Sequence, residues 1–171
     1  AGNDILHTDN TRRTTTGGTP QDTDGMWYDN FLMAKNLYIE LLEQLMSFAD
    51  VEVVYNPSNH VDLKHRKAFR YGSNLIGTTH GDGAKIENLP LLLATEFPIL
   101  WSKTKHRYIY SHHIHHKQSR DMIGCTFETL RSPSGSDSWH HKNGYTGVPK
   151  AVEGYIHHKE FGQIARLTHI F

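Results

Sequence analysis

The chain has 171 residues, which suits one domain with a complete core, and nothing at this length requires a second. Its 18 basic residues balance 18 acidic ones, so no overall field advertises a polyanion partner, and nucleic-acid contact would have to rest on local patches. A single cysteine, Cys125, excludes an intrachain disulfide framework and any cysteine-based zinc site, and fits a reducing compartment.

The opening "AGNDILHTDN" is too short before its first polar cluster to be a whole strand, and begins as though a strand had been cut just upstream. "TRRTTTGGTPQDTDG" follows without periodicity, a Thr/Gly/Pro/Asp loop of the length usually reserved for functional or mobile segments. From Asp29 to about Phe48, Phe31, Leu32, Ala34, Leu37, Tyr38, Leu41, Leu42, Leu45 and Met46 recur at three- and four-residue intervals, which predicts an amphipathic helix. Its Leu-rich stripe reads as core packing. "VEVVYN" reads as a buried strand halted by Pro57 in "NPSNH", and a short helix is expected over "VDLKHRKAFRYG".

"NLIGTTHGDG" reads as a second short strand entering a glycine-punctuated loop, and "IENLPLLLATEF" as a helix disturbed by Pro90. The alternating, aromatic "RYIYSHH" predicts a third strand, and "MIGCTFETL" a fourth with Cys125 as a small buried residue. After a long Ser/Gly/Pro/His loop, "RSPSGSDSWHHKNGYTGVPK", the segments "AVEGYIHHKE" and "QIARLTHIF" read as paired strands turning near Gly162. Strands alternating with helices early and strands alone later predict a single α/β domain over residues 1–171, a layered sheet with an antiparallel finish. The longest apolar runs, such as "LPLLLA", are far too short to span a bilayer, and no charged-then-apolar leader opens the chain. A cytoplasmic protein without a membrane partner is the expectation.

The compositional outlier is histidine, 14 in all, four of them within "YSHHIHHK". Four polar signals share one placement, each directly after a strand-like run: "GND" at the start, "NH" after "VEVVYNPS", "HGD" after "NLIGTT" and "HHIHH" after "RYIY". Ligands of open α/β sheets sit at the carboxyl ends of strands, so all four signals could converge on one crevice. Carboxylate, amide oxygen and neutral imidazole together suit Mn, Fe, Zn or Ni. His113 and His115, two apart, share a face on a strand, whereas a turn would aim them at two adjacent ions; a solvated histidine-rich loop is the competing reading.

In order and spacing these signals resemble the calcineurin-like metallophosphoesterase family. "GNDILH" matches its Gly-Asp element, "SNHVD" its Gly-Asn-His element, "THGD" its lone histidine and "HHIHH" its Gly-His-x-His element. The likeness is strongest to a phage and prophage branch described as related to DNA-repair exonucleases, through "GND", "GTPQD", "HGD", "HIHH" and "DSWH", and it runs nearly the whole chain. The resemblance implies a four-layer α/β/β/α fold, a β-sandwich flanked by helices, and hydrolysis of phosphodiesters, with DNA as a candidate partner.

It also implies two divalent transition-metal ions, manganese foremost, with Asp4 bridging them, Asn59, His80 and His113 completing the second site and His115 serving the first. His60 would be the catalytic histidine, protonating the leaving oxygen or steadying the transition state. His7, Asp82, His112 and His116 would orient the ligand rings, and Trp139 with His140 would contact substrate. Each has a plain structural alternative: a terminal cap for Asp4, a turn former for Asn59, a satisfied strand-end ring for His80, a loop anchor for Trp139.

Three departures from the family pattern stand out. Ser58 and His112 occupy positions where the family has glycine, and no Asp-x-His element precedes Asp4. The last departure suggests the C-terminal part of a longer protein. It also supports a rival expectation, a non-catalytic fragment of the fold acting as a weak metal-binding or scaffold module.

Overall fold

The computed structural model describes residues 11–14, 18, 20–22, 25–54, 66–133, 141–142, 144 and 146–171. The amphipathic pattern forms helix α1, Trp27–Met46, with Asp29 in the first turn, where a carboxylate complements the exposed N–H groups. Its Leu-rich stripe is not the core packing expected: among the described residues Phe31, Leu32, Leu37, Leu41 and Leu45 stay exposed and the core cluster forms without them. Residues 51–54 have no regular secondary structure, so the strand expected over "VEVVYN" does not form in its described part.

Where a short helix was expected up to Gly72, the chain instead forms strand β1, Lys67–Tyr71. It pairs antiparallel with β2, Asn74–Thr79, with Tyr71 opposite Asn74 across a tight turn. Two local features override the helical pattern. Gly72 takes φ +58° with Lys159 O where a Cβ would stand, and buried Asn74 donates from Nδ2 to the Tyr71 carbonyl at 2.8 Å.

From β2 the chain passes through a 3-10 turn, Ile86–Asn88, into α2, Leu89–Glu96, and α3, Pro98–Ser102, and then returns as β3, His106–Ser111. Pro90 sits in the first turn of α2, where its missing N–H has no intrahelical partner to lose, so it opens this helix without disturbing it. β4, Gln118–Met122, and β5, Cys125–Thr129, form a hairpin, and only β5 was expected. The sheet order is β1-β2-β3-β5-β4, with β2, β3 and β5 parallel and the two edge strands antiparallel to their neighbours. A second, two-stranded antiparallel sheet closes the chain: β6, Ala151–His158, and β7, Gly162–Ile170.

The two faces of the five-stranded sheet differ in chemistry. On one, Leu75, Ile109 and Phe127 pack against Leu89 and Leu93 of α2, with Phe97, Leu100 and Trp101 around them. Gly77 lies under Leu93, and a Cβ there would come within 2.7 Å of its side chain. Arg107 stacks on Trp101, 4.4 Å from the ring, and donates to the Trp101 and Thr104 carbonyls. The opposite face carries Tyr108, Tyr110 and Glu128 and receives the β6–β7 hairpin. A mixed sheet with helices agrees with the expected α/β class. No helix among the described residues is long and apolar enough to cross a membrane.

Candidate metal centre

β2 and β3 are parallel and paired through Thr79 and Ser111, so the residues just beyond them emerge side by side. His80 follows β2 and is buried, 4% exposed. Its carbonyl accepts three hydrogen bonds from the start of the histidine run: Ser111 Oγ at 2.9 Å, His112 N at 2.9 Å and His113 N at 2.8 Å. That fork holds the two segments together, and the side chains meet in turn. His80 Nε2 lies 3.0 Å from His113 Nδ1, one ring donating and the other accepting, with centroids 4.9 Å apart and planes at 67°.

Gly81 makes the approach possible. It takes φ +106°, and a Cβ there would lie 2.0 Å from Ser111 Oγ. The sequence showed a glycine-punctuated loop here, but neither the need for glycine at this position nor the role of Ser111. His112 carries no left-handed strain; the left-handed residue of this loop is His115, at φ +54°. The His115 N–H donates to the His112 carbonyl at 3.3 Å.

His116 has a settled structural arrangement. Its Nδ1–H donates to the Ile114 carbonyl at 2.8 Å, its Nε2 accepts from the Gln118 amide at 3.1 Å, and its own carbonyl accepts from Thr129 Oγ1. Both ring nitrogens are thereby used, which fixes the tautomer. Asp82 is half-buried in the bend after β2.

Of the residues proposed from sequence, the structure brings His80 and His113 into contact and places Asp82, His112, His115 and His116 on the two loops beside them. Asp4, His7, Asn59, His60, Trp139 and His140 lie outside the described residues. Among the described residues no group of three His, Cys, Asp or Glu side chains is arranged to hold a metal ion.

Beside the pair, on the hairpin face, is a buried ionic and aromatic layer that sequence reasoning missed. Arg166 NH1 pairs with Glu128 at 2.7 Å and its NH2 with Glu153, which also receives Arg131 at 2.8 Å. Tyr155 donates to Glu128 at 2.5 Å; burial first, then this acceptor, holds its phenol far above its ordinary range. Burial likewise raises Tyr110, with the Glu128 charge adding to it, and lowers His157. The only available signal was weak: inward positions of β6 and β7 carry polar and aromatic residues where a simple sandwich would carry aliphatic ones.

At the other end of β3 an open cleft of about 350 Å³ is lined by Lys105, His106, Arg107, Asp121 and Cys125 among others. Burial pushes the Cys125 thiol up to about 11, in keeping with its place in the core cluster beside Phe127.

Comparison with known proteins finds no matching family model, no matching curated protein and no matching solved structure.

Proposed function

We propose that the chain contributes to a metal-dependent phosphoesterase that hydrolyses phosphodiesters, with nucleic acid as the leading substrate class. The observation that carries this reading is the approach of His80 Nε2 and His113 Nδ1 to 3.0 Å at the carboxyl ends of adjacent parallel strands. In this structure the two nitrogens share a hydrogen bond on a buried, backbone-fixed platform, and a shift of that proton to the donor ring's other nitrogen would free both lone pairs for a divalent transition metal, manganese foremost, with iron, zinc or nickel as alternatives. The two imidazoles fit as part of such a donor set, and among the described residues no third His, Cys, Asp or Glu completes it. His80 and His113 would hold one ion together with Asn59 and Asp4, and His115 would serve the other. When bound, such ions offset phosphate charge and acidify water for attack at phosphorus.

The chain's own residues supply the rest. The carbonyl fork at His80 keeps the two rings in register before any ligand arrives, so less freedom is lost on binding. The bonds of His116 to Ile114 and Gln118 hold the far side of the loop. His60 would deliver a proton to the leaving oxygen or steady the transition state. The mixed sheet faced by helices on one side and by a second sheet on the other is compatible with a four-layer α/β/β/α arrangement, which we propose on the same grounds.

The test is elemental analysis of the purified chain together with hydrolysis of a generic phosphodiester with and without added manganese. Bound metal with manganese-dependent turnover, both lost in His80→Ala and His113→Ala, is the expected result. A metal-free chain without turnover under any added divalent ion overturns the reading.

A further inference from the structure

The candidate pair stands on strand ends, so whatever seats the end of β3 sets its geometry. Two sides are seated by backbone: β2 through the carbonyl fork, and β5 through Leu130 N donating to Ser111 O at 2.8 Å. The third side is the β6–β7 hairpin, and there the Tyr110 hydroxyl reaches both hairpin strands. Tyr110 donates to Gln163 Oε1 at 3.0 Å, and its oxygen lies 3.2 Å from His157 Nε2. One residue comes from each hairpin strand.

Those residues face each other only because the hairpin is irregular. Ile156 opposes Ala165, but His157 opposes Gln163, leaving Ile164 as an extra residue. In an unbroken register Ile164 would oppose His157, and Gln163 would sit opposite His158 on the outward face. The bulge turns Gln163 inward, where its backbone N–H also donates to Tyr108 Oη at 2.7 Å. The His157 ring stands edge-on to Tyr108, with centroids 4.7 Å apart. Bulges commonly re-aim a side chain beside a site, and this one aims two at a residue three positions before His113.

We infer that His157 and Gln163 are positioning residues for the His80–His113 pair, acting through Tyr110. The hairpin is then part of the candidate centre as well as of the fold. The inference rests on the reading of that pair as the site. Tyr110 and Ser111 are consecutive, and Ser111 makes one branch of the fork on the His80 carbonyl. A shift of Tyr110 is therefore transmitted to the fork and to the ring contact.

The test uses the full chain and the ring 15N signals of His80 and His113, recorded without metal and assigned with His113→Ala. Tyr110→Phe and His157→Phe keep the packing and remove the polar contact. Ser73→Ala is the control, since its hydroxyl holds the hairpin turn by donating to the Lys159 carbonyl at 2.9 Å, at the opposite end of the strands. Both Phe variants should shift the two ring signals and weaken manganese binding about tenfold, the low end for loss of an orienting partner. Ser73→Ala should lower the melting temperature and leave the ring signals in place. Unchanged ring signals in both folded Phe variants, or an equal shift in Ser73→Ala, overturn the inference. If the wild-type chain hydrolyses nothing yet its ring signals still respond to Tyr110→Phe, the phosphoesterase reading fails and the coupling stands.

Discussion

The two faces of the five-stranded sheet are held by opposite means. The helix face is a dry cluster of Leu75, Leu93, Ile109 and Phe127, each at most 2% exposed, where attraction is non-directional and depends on filled volume. The hairpin face is a network in which Glu128 and Glu153 face Arg166 and Arg131, and Tyr108 and Tyr110 meet Gln163 and His157. A network of this kind adds little net stability over an apolar layer, yet it fixes one relative position of the two sheets, because each group needs its own partner. The candidate centre lies where both faces end, so it takes its foundation from the first and its alignment from the second.

The comparison breaks most visibly at Arg166. Arg166→Ala leaves the buried Glu128 carboxylate without its guanidinium partner and Glu153 with Arg131 alone, and is expected to cost about 3–5 kcal/mol, read from the urea midpoint. A midpoint within error of the wild type would mean that the hairpin face is not held by charge. Arg166→Lys should recover only part of the loss, since one ammonium cannot serve both carboxylates as the guanidinium fork does.

On the helix face, Leu93→Ala should cost about 2–5 kcal/mol, whereas Leu93→Met, which conserves volume, should cost under about 1.5 kcal/mol. If Leu93→Met proved as damaging as Arg166→Lys, the distinction between the faces would collapse. Gly81→Ala joins an unfavourable φ of +106° to a clash with Ser111, and about 1–3 kcal/mol is expected. Its signature is local: hydrogen exchange should accelerate at the amides of His112 and His113 ahead of those in β1.

The smallest effect is the dependence on pH. Burial holds the His157 imidazole below its ordinary 6.5. Between 6.5 and the lower folded value, the unfolded chain binds more protons than the folded one. Stability should therefore decline as the pH falls below about 6.5 and level off beneath the folded value. Comparing melting temperatures at pH 7.5 and 5.5 in wild type and His157→Phe checks this: the variant should lose part of the acid sensitivity, and identical slopes would remove His157 as its source.

Much of this fold was legible in the sequence where one residue pattern had one physical outcome. The spacing of Phe31, Leu41 and Leu45 could only be helical, and "NLIGTT", "RYIY" and "CTFET" combined β-branched and aromatic residues with flanking turns. The placement of His80 and His113 after two of those strands was legible for the same reason. β1 was misread because the 61–72 pattern also fits a helix, and the pairing of Ala68 opposite Gly77 decided otherwise. β4 was missed because Gln118–Met122 is an edge strand, exposed along most of its length, and has no apolar signature to find.

The sequence by itself determined the types of α1, α2, β2, β3, β5 and the closing hairpin and the order of the polar signals, since these follow from local propensity and hydrophobic period. It did not determine the core, because the Leu-rich stripe of α1 stays exposed among the described residues. Only the tertiary structure decided which strands are parallel neighbours, that one carbonyl is shared by Ser111, His112 and His113, and that a one-residue bulge turns Gln163 inward. Each of these depends on residues tens of positions apart, and a contact at 3 Å is set by packing from several sides at once, which no local pattern encodes.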